Sequence, residues 1–388
     1  MLKFQRKGMT LLAFLVLFAM ISGCSAKTAA TQDQTSTKTE DSIQTNTGTV
    51  EDAGSVDEAG TNTDTREITD MEGRTVTIPA KVNKVISLSN NTTVYVFTLA
   101  PDKLLGWSFT PKEAAKKYIK DEYFNLPNVG SSTQKSGSFE NILKLKPDLI
   151  ICSNEDEVYK PDELQKQLNI PVVMVNVSLE STDKVYSFLG DCLNEQERGK
   201  QLADYSRNIL DTMKEQINKV PEDKKLKVYY AEGAAWLQTD IAKNVHTEVL
   251  DFAAGMNVAN ISEDKVGSMA EVSMEQVLEW DPDIILVGAT ATKGDFYSKV
   301  YSDANWGKIK AVKNQKIYKI PALPFNWFDR PPCPARILGV EWLANLLYPD
   351  YVKLDLSTEI KNFYETFYHY KLTDSEIQDL LKDAAAKG

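Results

Sequence analysis

Two stretches of this chain repeat each other without a gap. Ser138-Phe-Glu-Asn-Ile-Leu-Lys-Leu-Lys-Pro-Asp-Leu-Ile-Ile151 aligns with Ser273-Met-Glu-Gln-Val-Leu-Glu-Trp-Asp-Pro-Asp-Ile-Ile-Leu286 at a constant offset of 135 residues. Each copy reads as a capping serine, a short amphipathic helix, a Pro-Asp break and an apolar strand. A helix-to-strand unit that recurs at domain-sized separation predicts two similar α/β lobes, because a solenoid repeats every 20–50 residues or so. Strands that alternate with helical segments predict mostly parallel sheets covered on both faces. Two lobes enclose a cleft, and clefts of this kind hold small ligands.

The N-terminus bears on compartment. Lys3, Arg6 and Lys7 precede an apolar run from Leu11 to Ile21, shorter than the roughly 20 residues that span a bilayer. Residues 1–23 therefore read as a signal peptide. The run closes on Ile21-Ser22-Gly23-Cys24, which resembles the lipobox of bacterial lipoproteins and implies lipidation of Cys24. Residues 24–65 are polar and poor in large apolar side chains, so they read as a flexible tether. The rest divides into a first lobe (66–181), a connecting helical segment (182–222), a second lobe (223–347) and a helical tail (348–388).

The formal charge is −11, and an acidic body argues against nucleic acid as a partner. Besides Cys24, the cysteines are Cys152, Cys192 and Cys333. Three cysteines give no complete disulfide framework.

Along the body, strands are predicted at Lys84–Ser89, Leu104–Trp107, Asp148–Ser153, Pro171–Val177, Lys227–Ala231, Met256–Asn260, Ile284–Val287 and Ile317–Ile320. A helix is predicted from Asn90 through Leu99. Residues 195–219 form a long helix that places Leu202, Tyr205, Ile209, Met213 and Ile217 on one face and stops at Pro221. At about 1.5 Å per residue it runs roughly 35–40 Å, which suits a stiff spine between the lobes. In the tail, Ile360, Phe363, Tyr364, Phe367 and Tyr368 make an apolar stripe expected to pack as core.

With the paired Glu-x-x-x-Leu-x-x-x-Pro-Asp units, the long central helix and the lipoprotein start, the chain resembles the helical-backbone class of ABC-importer binding proteins. That resemblance covers nearly all of 66–388. It implies two Rossmann-like lobes joined by one rigid helix, a monomer, and delivery of a small-molecule metal chelate to a dimeric permease with its ATPase. It also implies that Glu140 and Glu275, one per lobe, dock on permease arginines. Both acids lie in a helix's first turn, where the helix dipole stabilises a carboxylate by about 0.3–1 kcal/mol. Ser138 and Ser273 are expected N-caps, and Gln276 completes a capping-box pattern. The dipole explains an acid in each helix but not the recurrence of both at the same position.

Open α/β sheets bind ligands beyond the carboxyl ends of their strands. The loops that qualify are Ser89–Asn91, Trp107, Ser131–Lys135, Glu232–Trp236 and Phe325–Arg330. The loop Pro324-Phe-Asn-Trp-Phe-Asp-Arg-Pro-Pro332 is the most informative. Trp327 is expected as an aromatic wall, Arg330 as an anion clamp, and Asn326 and Asp329 as orienting groups. Asn90, Asn91, Trp107, Lys135 and Trp236 complete the expected ligand set. The alternative is that Trp327 anchors the loop while Arg330 pairs with a structural carboxylate. Cys333 stands where a serine would cap the next helix, with Pro334 following.

Only two histidines occur, His246 and His369, and neither falls in a candidate loop. A bare zinc or manganese site is therefore not expected, nor is a resident cofactor. An iron chelate of the siderophore type leads, with a corrinoid, haem or molybdate as alternatives. Catalysis is not expected, because no Gly-x-Ser-x-Gly elbow or phosphate loop is present. A chelatase-like enzyme and a surface sensor are the readings from other functional classes.

Overall fold

The repeat is visible in the backbone. The computed structural model describes residues 64–131, 139–154, 160–261, 269–291 and 296–385, all within one compact unit, Gly60–Gly388. Cys24, Lys135 and Ser138 lie outside the described residues. No helix among the described residues is long and apolar enough to cross a membrane.

The first lobe opens with an antiparallel hairpin, β1 (Thr65–Thr69) and β2 (Thr75–Pro79). Three parallel strands follow: β3 (Val85–Ser87), β4 (Leu149–Ser153) and β5 (Val172–Val175), in the order β3-β4-β5. The second lobe contributes β6 (Lys227–Ala231), β7 (Gln238–Thr239), β8 (Met256–Asn257), β9 (Ala270–Glu271), β10 (Ile284–Val287) and β11 (Ile317–Lys319). Four of these form a parallel sheet, β11-β10-β6-β8, while β7 and β9 pair antiparallel beside it. The two sheets superpose in topology: β4 and β10 sit centrally, and β3 and β6 are equivalent neighbours.

The repeated residues explain that equivalence. Helices Phe139–Leu145 and Met274–Trp280 precede β4 and β10. Both are followed by a residue in the left-handed region, Lys146 (φ 49) and Asp281 (φ 39). The Pro-Asp break then tethers the neighbouring strand. The Asp148 carboxylate accepts from the backbone N–H of Asn83 and Lys84 at 2.8 and 2.9 Å. The Asp283 carboxylate accepts from Lys227 N–H at 2.9 Å. Each aspartate thus holds an adjacent strand in register, a charge-assisted bond that recurs because the geometry recurs. Ser273 and Gln276 form the expected capping box, at 3.2 and 2.9 Å.

Leu104–Trp107 departs from expectation. It makes only isolated bridges, Val85 with Leu104 and Trp107 with Asn128. Its bonds divide between two neighbours, Leu105 N–H donating to the Val85 carbonyl at 3.0 Å and Trp107 N–H to the Pro127 carbonyl at 2.9 Å, so neither side builds a regular ladder.

The spine is a pair of helices, Thr182–Cys192 and Gln196–Ile217. They cross at Gly190 and Gly199, where a Cβ on Gly199 would meet the Tyr186 carbonyl at 2.6 Å. The longer helix also packs against the buried helix Arg336–Leu347 of the second lobe. Arg336 adds a polar clasp between the lobes: it donates to the Val177 carbonyl and to Glu248. Glu248 in turn accepts from Leu179 N–H at 2.8 Å.

The tail is a strap. Its helix Leu356–Tyr368 buries the predicted stripe, Ile360, Phe363, Tyr364, Phe367 and Tyr368. Tyr364 meets Tyr118 edge-on at 5.6 Å, and Phe367 meets Tyr186 at 5.8 Å. Full burial of such side chains contributes about 1.5–3 kcal/mol each. Past the helix Asp374–Leu381, the chain reaches the second lobe, where Lys319 N–H donates to the Asp383 carbonyl at 2.7 Å.

Candidate functional site

The carboxyl ends of the second lobe's strands gather a group of charges. Glu232 directly follows β6, and its carboxylate lies over the end of β10. Gly288 leaves room for it, since a Cβ there would fall 2.3 Å from Glu232 Oε1. Asp240 follows β7. The loop from Pro321 to Pro332 brings Asp329 and Arg330 against them, with Arg330 in the left-handed region (φ 53). Arg330 Nη1 lies 2.8 Å from Asp240 Oδ2 and 3.7 Å from Glu232 Oε1, and it also pairs with Asp329.

His246 completes the group. Its Nδ1 stands 2.6 Å from Asp329 Oδ1. It sits in a tight turn, Val245–Thr247, whose capping box uses the Asn244 side chain and Thr247. In the sequence His246 carries no local signal, because it lies between two candidate loops. The Asn244-to-Thr247 capping pattern was the one clue that the chain turns inward there.

The charges are layered. The side chains of Glu232, Asp240 and Asp329 are wholly buried, whereas those of Arg330 and His246 keep 19% and 22% exposure. Carboxylates form the back of the site and cations its face. Burial raises the pKa of Glu232 and of Asp240 above the ordinary carboxylate range, with Arg330 opposing the shift in both. The Tyr230 hydroxyl and the Arg330 charge oppose that rise at Glu232. Burial pulls the His246 pKa down, but its hydrogen bond to Asp329 and that residue's charge outweigh this and leave it raised. Burial likewise opposes the charge on Arg330, and the surrounding carboxylates more than restore it.

Glu232, Asp240 and Asp329 offer oxygens that all lie within 4.8 Å of one another, an all-oxygen set able to hold a cation. No such cluster was expected from the sequence, where the three residues are far apart. The Arg330 guanidinium already supplies positive charge to it.

The expected aromatic walls are corrected. Trp107, Trp236 and Trp327 are fully buried and face no cleft. Trp107 packs on Phe97 at 5.2 Å and gives its indole N–H to the Tyr123 carbonyl. Trp236 packs on Phe296 at 5.1 Å and donates to the Ala291 carbonyl. Trp327 anchors its loop in the core; a Cβ on Gly339 would lie 1.7 Å from the Trp327 carbonyl. Asn326 is also structural, since its Oδ1 accepts from Phe328 and Asp329 N–H at 2.8 and 3.0 Å and shapes the loop. Cys333 is buried, its thiol pushed up to about 12 by burial, and the next helix starts at Arg336 rather than at Pro334.

In the first lobe, Asn90 and Asn91 begin the helix Asn90–Leu99 at the carboxyl end of β3. Asn91 reaches β4, its amide 3.3 Å from the Ser153 hydroxyl. Asn90 Oδ1 is buried without a partner, an acceptor left open. A groove of about 900 Å³ runs between the lobes. It is lined by Asn154, Asn176 and Ser178 from the first lobe and by Lys243, Asn244 and Glu248 from the second. Arg330 does not line it. Glu140 and Glu275 are both exposed, at equivalent places on the repeated helices. The pKa of Glu275 is lowered by backbone N–H and by Ser273.

Comparison with known proteins places this geometry. Residues 85–323 match the family described as periplasmic binding protein. The chain is 28% identical over 335 residues to the molybdate-binding protein MolA of Haemophilus influenzae, covering 78% of this chain and 91% of that one. It is 27% identical over 247 residues to the high-affinity heme uptake protein IsdE of Staphylococcus aureus, covering 60% of this chain and 79% of the relative. Among solved structures, an ABC transporter solute binding protein from Sulfurospirillum deleyianum aligns with a TM-score of 0.75 at 29% identity, covering 82% of this chain and 99% of that one. The chain belongs to the periplasmic binding protein family, whose members bind solutes for ABC importers.

Proposed function

We propose that this protein is a lipid-anchored extracytoplasmic receptor that delivers a compact metal oxyanion of the molybdate type to a dimeric ABC permease. The observation that carries the ligand class is the layered charge group. Arg330 and His246 face outward, each fixed by buried carboxylates, which pre-organises two cationic donors for an anion. With the three indoles committed to the core, none of them offers a flat wall for stacking a macrocycle. The likeness to the Haemophilus molybdate-binding protein, spanning most of both chains, supports the same reading. Cys24 carries the lipid anchor, and Glu140 and Glu275 dock on the permease. The protein works as a monomer without catalysis.

A second reading, an iron chelate, has its own support: the 900 Å³ interlobe groove is in the size range of pockets for drug-sized ligands, and the staphylococcal relative serves heme uptake. A thermal-shift panel of molybdate, sulfate and a ferric catecholate chelate separates the two. A ligand at 100 times its dissociation constant adds about 2.7 kcal/mol. Stabilisation by molybdate and not by the chelate is expected; the reverse pattern overturns the oxyanion reading in favour of the chelate.

A further inference from the structure

A separate cavity of about 520 Å³ lies where the helix Asn90–Leu99 ends, the long spine helix begins and the tail helix Leu356–Tyr368 ends. Phe97, Leu99 and the ring of Tyr123 give it apolar walls, and Lys120, Arg198 and His369 also line it. None of the residues in the group around Arg330 takes part.

Arg198 is the anomaly. Its guanidinium donates to Gln201 Oε1 at 2.7 Å, to the Thr98 carbonyl at 3.4 Å and to the Thr366 carbonyl. Its Nε is buried with no partner. Among the described residues it forms no ion pair with a carboxylate. Glu195 also lines the cavity but is engaged by Lys103 at 2.8 Å. Asp102, the other acid in the lining, acts on Tyr123 rather than on Arg198. Burial lowers the pKa of Arg198, opposed by the Tyr186 phenol and by no carboxylate. His369 is held below the ordinary imidazole range by burial, then by the charges of Arg198 and Lys120. Two cations, Arg198 and Lys120, therefore share one space, and their charges favour the neutral form of His369 beside them. Charges taken from water are normally paired, and although Asp102 and Glu195 share the lining, Arg198 pairs with neither.

We propose that this cavity is a second binding site, which takes a small organic anion bearing one carboxylate on an apolar body. The carboxylate meets Arg198 and Lys120, and the body lies against Phe97, Leu99 and the Tyr123 ring. A bare inorganic oxyanion would satisfy the cations but leave the apolar half of the lining against water.

Titration calorimetry of the full mature protein with benzoate, benzamide and sulfate tests this. Benzoate is expected to bind one to one, benzamide at least tenfold more weakly, and sulfate more weakly still. Lys120 is exposed, so Lys120→Met leaves the fold intact and weakens benzoate at least fivefold. Arg198→Lys keeps the charge but loses the fork, and weakens it further. Amide NMR shifts on adding benzoate are expected around Phe97, Arg198 and His369. The proposal is overturned if benzoate does not bind, if benzamide binds equally well, if sulfate binds more tightly, or if Lys120→Met with His369→Gln leaves benzoate affinity unchanged.

Discussion

His246 gives the site its pH dependence, because Asp329 pins one ring nitrogen at 2.6 Å and leaves the other free to meet a ligand. Its pKa is raised above the ordinary value of about 6.5. The folded state therefore holds the proton more tightly than the unfolded chain. This contribution to stability is complete below the unfolded pKa and is lost as pH rises through the folded pKa. Affinity for an oxyanion follows the same sign. It is expected to fall by up to about tenfold per pH unit above the folded pKa, and His246→Gln should flatten that profile in a calorimetric pH series. A profile that rises with pH would remove the imidazolium from the account.

Arg330 makes a different prediction at the same scale. Its one positive charge lies against three wholly buried carboxylates, and breaking a buried pair costs about 3–5 kcal/mol. Arg330→Met should lower stability by that order in urea denaturation. Added manganese should restore much of the loss, because the oxygen set is then open to a cation. Manganese without effect on the variant would show that the carboxylates disperse rather than persist as a set. How much of this was legible in sequence depends on chain separation. Asn326, Asp329 and Arg330 lie in one proline-bounded loop, so their proximity was readable. Asp240 and His246 arrive by a hairpin and a capped turn whose direction no periodicity records. Trp107 and Trp236 are core residues because an indole after a strand looks the same in sequence whether it faces the cleft or the core, and Trp327 follows the alternative in which it anchors its loop.

At the scale of elements, the repeat separates into two kinds of residue. Asp148 and Asp283 recur because each holds a neighbouring strand. Glu140 and Glu275 recur on exposed faces, and among the described residues neither forms an ion pair. Replacing both with glutamine should leave thermal stability within about 0.5 kcal/mol, as for surface substitutions generally, and leave ligand affinity intact. Uptake in cells should fall more than tenfold. Unchanged uptake by the double variant would sink the docking role. The elements themselves were mostly readable, since the buried strands are short apolar runs bounded by turn residues. Leu104–Trp107 forms no regular strand because its pairing is split between Val85 on one side and Pro127 to Val129 on the other, a tertiary fact that overrides local strand propensity.

For the whole molecule, three independent ties join the lobes. The paired spine helices, the Arg336 clasp to Val177 and Glu248, and the tail that touches both lobes act in parallel. Phe325 adds a fourth contact, entering the first lobe's aromatic cluster beside Phe97 and Trp107 at 5.9 and 6.0 Å. Such a frame favours a pre-formed site over one assembled by large closure, so little binding energy goes into domain movement. The two-lobed plan was legible from the duplicated unit. The tail's role as a strap was not, since a helical apolar stripe shows that a face is buried but not against what.

The measurement that tests the central claim most directly is calorimetric titration of the mature protein with molybdate at mildly acidic pH, on wild type and His246→Gln. A saturable one-to-one isotherm in wild type, weakened at least tenfold in the variant, is the predicted result. Folded wild-type protein that gives no heat with molybdate, yet saturates with a ferric catecholate chelate, would contradict it.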